Sequence, residues 1–471
     1  MSFNSRKLLF GSSNLNDPYW NNVSLLLHGD GIGATPNGQQ NNTFLDSSTN
    51  NTITRNGTPT QGSFSPYALN GVAYSPTLHG GGLYLNGTTD YLNCGAAILN
   101  TTGNFTIECW IYVTGGSGTQ RNILGQYING NANRTNLVVG TDNKISWSTV
   151  GSINELTSLN AISENIWTHV CIVRNGSGSN NTKMYINGIV QGSYTDTGNF
   201  AQTNTWIGQG QGFSTGLFVG YISNLRITNI SVYTSNFTPP TSPVTLLSNG
   251  GATPSTAPTS GQVSLLCDFT NGGIFDNTKK NVLTTVGNAR VSTAEKKFGT
   301  GSMLFNGSTD YLSTINKQDL SLGSGNFTIE CWVYANSIGS FNGVFAQWPN
   351  NGGSVNNSFV LESVGSNMEF YWCAGSTLFG PATLGTITTG SWIHYAICKS
   401  GNTLYPFKNG VLGTTVSIAQ TLNSPTSNIT VGGSVAGSGY WNGYIDDLRI
   451  TKGIARYTSA FTPPTRAFPN K

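Results

Sequence analysis

One pattern occurs twice along the chain, and this fixes the scale of whatever folds. NGTTDYL (86–92) returns as NGSTDYL (306–312), and GNFTIECWIY (103–112) returns as GNFTIECWVY (325–334). GYISNLRIT (220–228) returns as GYIDDLRIT (443–451), and YTSNFTPPT (233–241) as YTSAFTPPT (457–465). The offset drifts only from 220 to 224 across these blocks. Four ordered blocks at nearly constant offset mean two copies of one domain of roughly 200 residues, not a short solenoid repeat.

Charged residues make up 9% of the chain, against about 25% in an ordinary soluble protein. Gly accounts for 60 of 471 residues, and Asn, Ser and Thr fill the gaps. This is the composition of many short strands joined by turns. Hydrophobic residues at 37% still supply a core, so low charge here does not signal disorder. A net charge of +3, with no basic run longer than Lys279-Lys280 or Lys296-Lys297, offers no stripe for a phosphate backbone and argues against nucleic acid as a partner. The start MSFNSRKLLFGSS holds only Leu8, Leu9 and Phe10 as an apolar run. Neither a signal-peptide core nor a membrane span is legible, so the expectation is synthesis in a host cytoplasm without membrane insertion. Of seven cysteines only Cys109 and Cys331 occupy matching places. A duplicated disulfide framework would have been copied in pairs, so buried reduced thiols are expected.

The layout read from the repeats is an arm at 1–22, a first sandwich at 23–243, a solvated Pro/Gly/Ser/Thr-rich linker at 244–262 and a second sandwich at 263–471. The first copy carries about 20 extra residues before Asn86, expected as surface loop. Period-two alternation dominates: Phe105, Ile107, Cys109, Ile111 and Val113 share one face, with Thr106, Glu108, Trp110 and Tyr112 on the other. Asn187-Gly188 and Asn409-Gly410 sit between such runs and mark hairpins. The fold class expected is all-β, two antiparallel jelly-roll sandwiches in tandem.

Together the blocks VSLLLHGDG, NG-x-TDYL, FTIE-x-W, W-x-H followed by Asn-Gly, and GYIDDLRIT resemble the laminin G-like, concanavalin A-like jelly-roll family. The variants DPYWNNVSLLLHGDG and RYTSAFTPPT resemble copies found in structural proteins of tailed phages, including those infecting cyanobacteria. The resemblance implies a sandwich with a concave face that binds glycans in some members, often with a rim calcium. It does not by itself imply either activity.

Glu108 and Glu330 are isolated on their strands, and no Glu-x-Asp-x-Glu arrangement exists to supply the paired carboxylates of glycoside hydrolysis. Both are expected as hydrogen-bonded structural glutamates. Asp446 and Asp447 are adjacent, and neighbours on a strand point to opposite faces. His169 and His394, in matching positions, are expected as core histidines bonded to backbone. Calcium, which takes several oxygen ligands, has candidates in Asp268, Asp276, Asp310 and Asp446 of the second copy; a turn cap is the favoured role for Asp310 and its counterpart Asp90. No cofactor is required, and calcium, where bound, belongs to the second copy. Trp110 with Tyr112, and Trp332 with Tyr334, are candidates for a glycan-stacking platform that Trp147 and its counterpart Trp372 would extend, with packing under a loop or against a second copy the favoured role. The functional expectation is a non-enzymatic virion structural protein, as capsid decoration, fibre or tail component, displaying two lectin-like domains. Its partners would be other virion proteins and host-surface glycan, with assembly as a homo-oligomer. A glycan-binding adhesin module is the alternative.

Overall fold

In the computed structural model, the residues described are 23–27, 44–67, 76–95, 97–99, 102–127, 134–149, 155–198, 200, 204–210, 216–259, 262–267, 274, 281, 283–299, 301–314, 320–434 and 439–469. They form four antiparallel-dominated sheets, with a single helix of four residues at Pro76–His79. Each copy contributes two sheets packed face to face. In the first copy one sheet runs in the order Ile189–Tyr194, Thr182–Ile186, Thr168–Arg174, Phe105–Val113, Val219–Thr228, Gly82–Asn86, Thr60–Gly62. In the second copy the order is Val411–Leu412, Thr403–Lys408, Trp392–Ser400, Phe327–Ala335, Asn442–Lys452, Ser302–Asn306, Arg290–Ser292. Nearly all the repeated motifs lie on or beside these two motif sheets.

Alternation explains the cores. Phe105, Ile107, Cys109, Ile111 and Val113 are at most 1% exposed and meet Leu124, Leu137, Ile145 and Trp147 from the facing sheet. Phe327, Ile329, Cys331 and Val333 do the same in the second copy against Leu361, Phe370 and Trp372. The hairpins form as the Asn-Gly pairs require: Asn187 and Gly188 have φ of 49° and 76°, and Asn409 and Gly410 have 48° and 75°. Six cysteines, including Cys109 and Cys331, are buried free thiols.

The copies are not independent beads. Val23–Leu27, which opens the first copy, pairs with the closing strand of the second: Val23 lies opposite Thr451 and Leu25 opposite Ile450. Val263–Cys267, which opens the second copy, pairs with the closing strand of the first, Val263 opposite Thr228 and Leu265 opposite Ile227. The expected boundary therefore needs correction, since Val23–Leu27 lies in a sheet of the second sandwich and Val263–Cys267 in a sheet of the first. The physical reason is that each closing strand offers an edge beyond Gly82–Asn86 or Ser302–Asn306, and the nearly identical closing sequences make that edge equally available to either opening strand. Arg55 Nη1 also donates to Asn288 Oδ1 at 3.1 Å, and Thr285 Oγ1 to Thr60 Oγ1 at 2.5 Å, across the two copies.

The segment expected as a solvated linker is packed. Thr245 and Ser248 carbonyls accept from Arg226 Nη1 at 3.0 and 2.9 Å, Ala252 is 3% exposed, and the Thr256 N–H donates to the Val232 carbonyl at 2.8 Å. The insertion is divided in two: the offset between copies falls from 240 at Val23/Val263 to 230 at Thr60/Arg290 and 220 at Gly82/Ser302. The arm at 1–22 lies outside the described residues.

Candidate functional site

Residues from five repeated motifs converge on one point in each copy. Glu108, on the central strand Phe105–Val113, is 1% exposed. Its Oε1 accepts from Arg226 Nε at 2.9 Å and Nη2 at 2.5 Å, and its Oε2 accepts from the Tyr233 hydroxyl at 2.7 Å. His169 Nε2 stands 3.4 Å from Oε2. Glu330 repeats the arrangement with Arg449 at 3.0 and 2.7 Å, Tyr457 at 3.1 Å and His394 at 3.5 Å. The histidines thus face glutamate through the side chain. Their backbones are what the Asn-Gly turns hold: the N–H groups of His169 and His394 donate to Asn187 and Asn409 Oδ1, each at 2.9 Å. Tyr233 stacks on Phe237 at 3.7 Å, and Tyr457 on Phe461 at 3.6 Å. Each Phe N–H then donates to the hairpin Gly188 or Gly410 carbonyl at 2.9 Å.

A bulge makes this possible. Trp332 lies opposite Asp446 and Glu330 opposite Arg449, so one extra residue is accommodated in the closing strand, with Asp447 at φ 46°. The first copy has the same shift, with Asn224 at φ 49°. Without it, strict alternation would send Arg449 to the side opposite Tyr444 and Asp446; with it, Arg449 reaches Glu330 while Leu448 and Ile450 stay in the core. The bulge residues also cap the chain beyond each closing strand. Asn224 Oδ1 accepts the Val244 N–H at 3.1 Å, and Asp447 Oδ2 accepts the Phe468 N–H at 2.8 Å.

Burial alone would raise the Glu108 and Glu330 carboxyls. The guanidinium of Arg226 or Arg449, with the adjoining His, overrides it and holds each down at about 2. A carboxylate so fully engaged is neither a general acid nor a free nucleophile. Sequence reasoning identified the glutamates and histidines but not Arg226, Arg449, Tyr233 and Tyr457 as their partners; the available signal was that all lie in blocks written twice.

The aromatic platform needs partial correction. Trp147 is 0% exposed, packs on Phe105 and Phe200, and donates from Nε1 to the Tyr194 hydroxyl at 3.2 Å. Trp372 is 2% exposed and stacks between Phe370 and Phe379. Both point into the core, where no glycan reaches. They are not counterparts either, since Leu137 pairs with Trp147 but Leu361 pairs with Phe370. Trp110 is half-buried, with Tyr67 and His169 against its ring, and Trp332 is 5% exposed beneath Lys297, whose Nζ lies 3.8 Å from the ring centroid. Tyr112 and Tyr334 remain half-buried on the outer side of the motif sheets.

Of the calcium candidates, Asp310 Oδ1 accepts the Asn288 N–H at 2.7 Å and Asp446 Oδ2 accepts the Lys297 and Phe298 N–H groups at 2.8 and 3.1 Å. Asp90 Oδ1 accepts the Thr58 N–H at 2.7 Å, so Asp90 and Asp310 cap matching turns. Asp268 and Asp276 lie outside the described residues. Among the described residues no group of three or more His, Cys, Asp or Glu is placed to hold a metal.

An acid pair that the sequence reading missed lies across strands. Glu362 is directly opposite Glu369, where the first copy has Val138 opposite Ser146. The Tyr371 hydroxyl donates to Glu369 Oε2 at 2.6 Å. Burial, reinforced by the Glu369 charge, pushes the Glu362 carboxyl up to about 7. No linear motif reveals the pair, because cross-strand neighbours need share no fixed spacing in sequence.

Similarity agrees with the architecture. A family profile described as the concanavalin A-like lectin/glucanases superfamily matches residues 86–235 and 306–455. No curated protein matches the chain. Among solved structures, the binding domain of Paraclostridial Mosquitocidal Protein 1 is 13% identical with a TM-score of 0.32, covering 40% of this chain and 47% of that one, so the chain spans about half of its length. Domain 4 of AbnA, a GH43 extracellular arabinanase from Geobacillus stearothermophilus solved with arabinotriose, is 16% identical with a TM-score of 0.32, covering 38% of this chain and 87% of that one. Mouse laminin alpha1 chain domains LG4-5 are 12% identical with a TM-score of 0.25, covering 85% and 99%. With both repeats matched over most of their length, the chain belongs to the concanavalin A-like lectin/glucanases superfamily as a tandem laminin G-like protein.

Proposed function

We propose that the chain is a non-enzymatic structural protein of a virion, displaying two interlocked lectin-like sandwiches whose outer aromatic surface binds glycan. The observation that carries the non-enzymatic part is the fate of the duplicated acids. Glu108 and Glu330, the only glutamates repeated in both copies, are each enclosed by Arg, Tyr and His side chains. Motifs maintained in duplicate are thereby spent on holding the sandwich together, as a display module requires. The virion setting is supported by the tailed-phage character of DPYWNNVSLLLHGDG and RYTSAFTPPT, and assembly as a homo-oligomer belongs to the same reading.

Mass spectrometry of purified particles tests the setting, with the protein expected at a fixed copy number and its absence from particles counting against it. An assay for reducing sugars released from host polysaccharide tests the chemistry. No release is expected. Release that disappears in Glu362→Gln or Glu369→Gln would overturn the non-enzymatic reading.

A further inference from the structure

The two opening strands enter their sheets in the same way. Leu25, Leu26 and Leu27 lie opposite Ile450, Arg449 and Leu448, and Leu265, Leu266 and Cys267 lie opposite Ile227, Arg226 and Leu225. Both ladders also carry one irregularity at the opening valine, with Val23 opposite Thr451 and Val263 opposite Thr228. The chain before Val23 therefore stands to the second sandwich as residues 245–262 stand to the first.

The path of residues 245–262 follows the end of the first sandwich. The Thr245 and Ser248 carbonyls accept from Arg226, and Ala252 packs with Val232, Tyr233 and Phe237. The Thr256 N–H donates to the Val232 carbonyl at 2.8 Å, Pro258 is buried, and the Gln262 carbonyl accepts the Asn229 N–H at 3.0 Å. Under this cover Tyr233 and Phe237 are 1% and 5% exposed, whereas the matching Tyr457 and Phe461 are half-buried.

The sequence before Val23 is written to the same plan. Leu8-Leu9, Pro18 and Val23-Ser24-Leu25-Leu26 repeat Leu246-Leu247, Pro258 and Val263-Ser264-Leu265-Leu266, each proline five residues before its valine. Where the two plans differ, the differences match. Arg456 replaces Val232, and Asn16-Asp17 stand where Thr256-Ala257 stand, seven and six residues before the valine. Asp17 is the only acid among residues 1–22. Arg456 Nε donates at 2.7 Å to Thr451 Oγ1, on the residue opposite Val23. Opposite charges have thus been placed on the two sides of one contact.

We propose that residues 8–22 lie across Arg449, Arg456, Tyr457 and Phe461 of the second sandwich, as residues 246–262 lie across Arg226, Val232, Tyr233 and Phe237 of the first, with Asp17 facing Arg456. The docked segment covers the Tyr457–Phe461 stack and takes its own Leu8, Leu9, Phe10, Tyr19 and Trp20 out of water. The partner of this surface is then the chain itself, and the segment before Val23 belongs to the second sandwich rather than to a neighbouring protein.

A photoreactive benzoylphenylalanine in place of Leu9 tests the placement in the intact chain. Cross-links to residues 442–469 are expected, mapped by mass spectrometry after digestion. Cross-links to residues 44–267 or to another chain, or none at all, would overturn the proposal. Amide hydrogen exchange gives a second reading. Removing residues 2–20 should speed exchange across 449–461 by about tenfold or more and leave 226–237 unchanged. Equal exchange with and without those residues, or a rise of similar size in both copies, counts against the docking. Asp17→Lys should speed the same amides of the second copy, and no effect there would overturn the pairing with Arg456.

Discussion

Glu108 and Arg226 form a two-point ion pair, 2.9 and 2.5 Å from one carboxylate oxygen, with both side chains at most 1% exposed. Removing one partner leaves the other buried and uncompensated, which costs about 3–5 kcal/mol. Arg226→Met and Arg449→Met should each lower stability by that order in urea unfolding. Replacing Glu and Arg together by apolar residues of similar volume should restore much of the loss. Single substitutions within about 1 kcal/mol of the parent would contradict the role given to these networks.

The same pairs determine behaviour in acid. The Glu108 and Glu330 carboxyls sit at about 2 in the fold against an ordinary value of 4.5. The unfolded chain therefore binds more protons in that window, and stability falls as pH drops. The contribution is fully present above pH 4.5 and is lost progressively toward pH 2. Unfolding free energies between pH 6 and pH 2 should show this slope, and Glu108→Gln should flatten part of it.

Glu362 has the opposite sign. Its carboxyl is raised to about 7 from 4.5, so the folded state holds the proton longer than the unfolded chain. The penalty for its charge is absent below pH 4.5, grows as pH rises, and is complete above pH 7. Glu362 is only partly buried, and with solvent screening about 1–2 kcal/mol is the appropriate scale. Glu362→Gln should stabilise the protein by that amount at pH 8 and leave it unchanged near pH 4, as read by chemical unfolding at the two pH values.

Glycine is required where the closing strand crosses the central one. Gly443 has φ 142°, and a Cβ there would meet the Tyr334 carbonyl oxygen at 2.0 Å; at Gly220, with φ 127°, the distance to the Tyr112 carbonyl oxygen is 2.1 Å. Gly443→Ala and Gly220→Ala should each destabilise by several times the roughly 1 kcal/mol of an ordinary glycine-to-alanine change. A melting temperature equal to the parent's would show that this crossing relaxes.

Much of the fold was legible because alternation and duplication both survive in the sequence. Phe105 through Val113 announces its buried face, and the Asn187-Gly188 and Asn409-Gly410 turns announce their hairpins. The bulges at Asn224 and Asp447 were missed because neither is glycine, although the three-residue steps from Ile222 to Leu225 and from Ile445 to Leu448 break the alternation there. The strand exchange was invisible for a different reason. Two nearly identical closing strands present the same edge, so pairing preferences alone do not choose between copies, and only the path of the chain decides. Trp147 and Trp372 look like counterparts in sequence because they share residue type, but they do not share register.

The exchange also predicts which pieces fold. Residues 44–267 contain both the closing strand Val219–Thr228 and its partner Val263–Cys267, whereas 44–243 contain no opening strand to take that edge. Expressed alone, 44–267 should unfold cooperatively at a higher urea concentration than 44–243. Equal midpoints would mean that the exchanged strand contributes nothing to stability.

The interlocking of the copies is tested most directly by disulfide trapping. Val23 lies opposite Thr451 in the ladder, and laterally paired strand residues come close enough for a cross-link. Val23→Cys with Thr451→Cys should form an intramolecular disulfide that changes mobility on a non-reducing gel without producing dimers. Val23→Cys with Thr228→Cys, which joins the opening and closing strands of the same copy, should not. A disulfide in the second pair and none in the first would contradict the exchange.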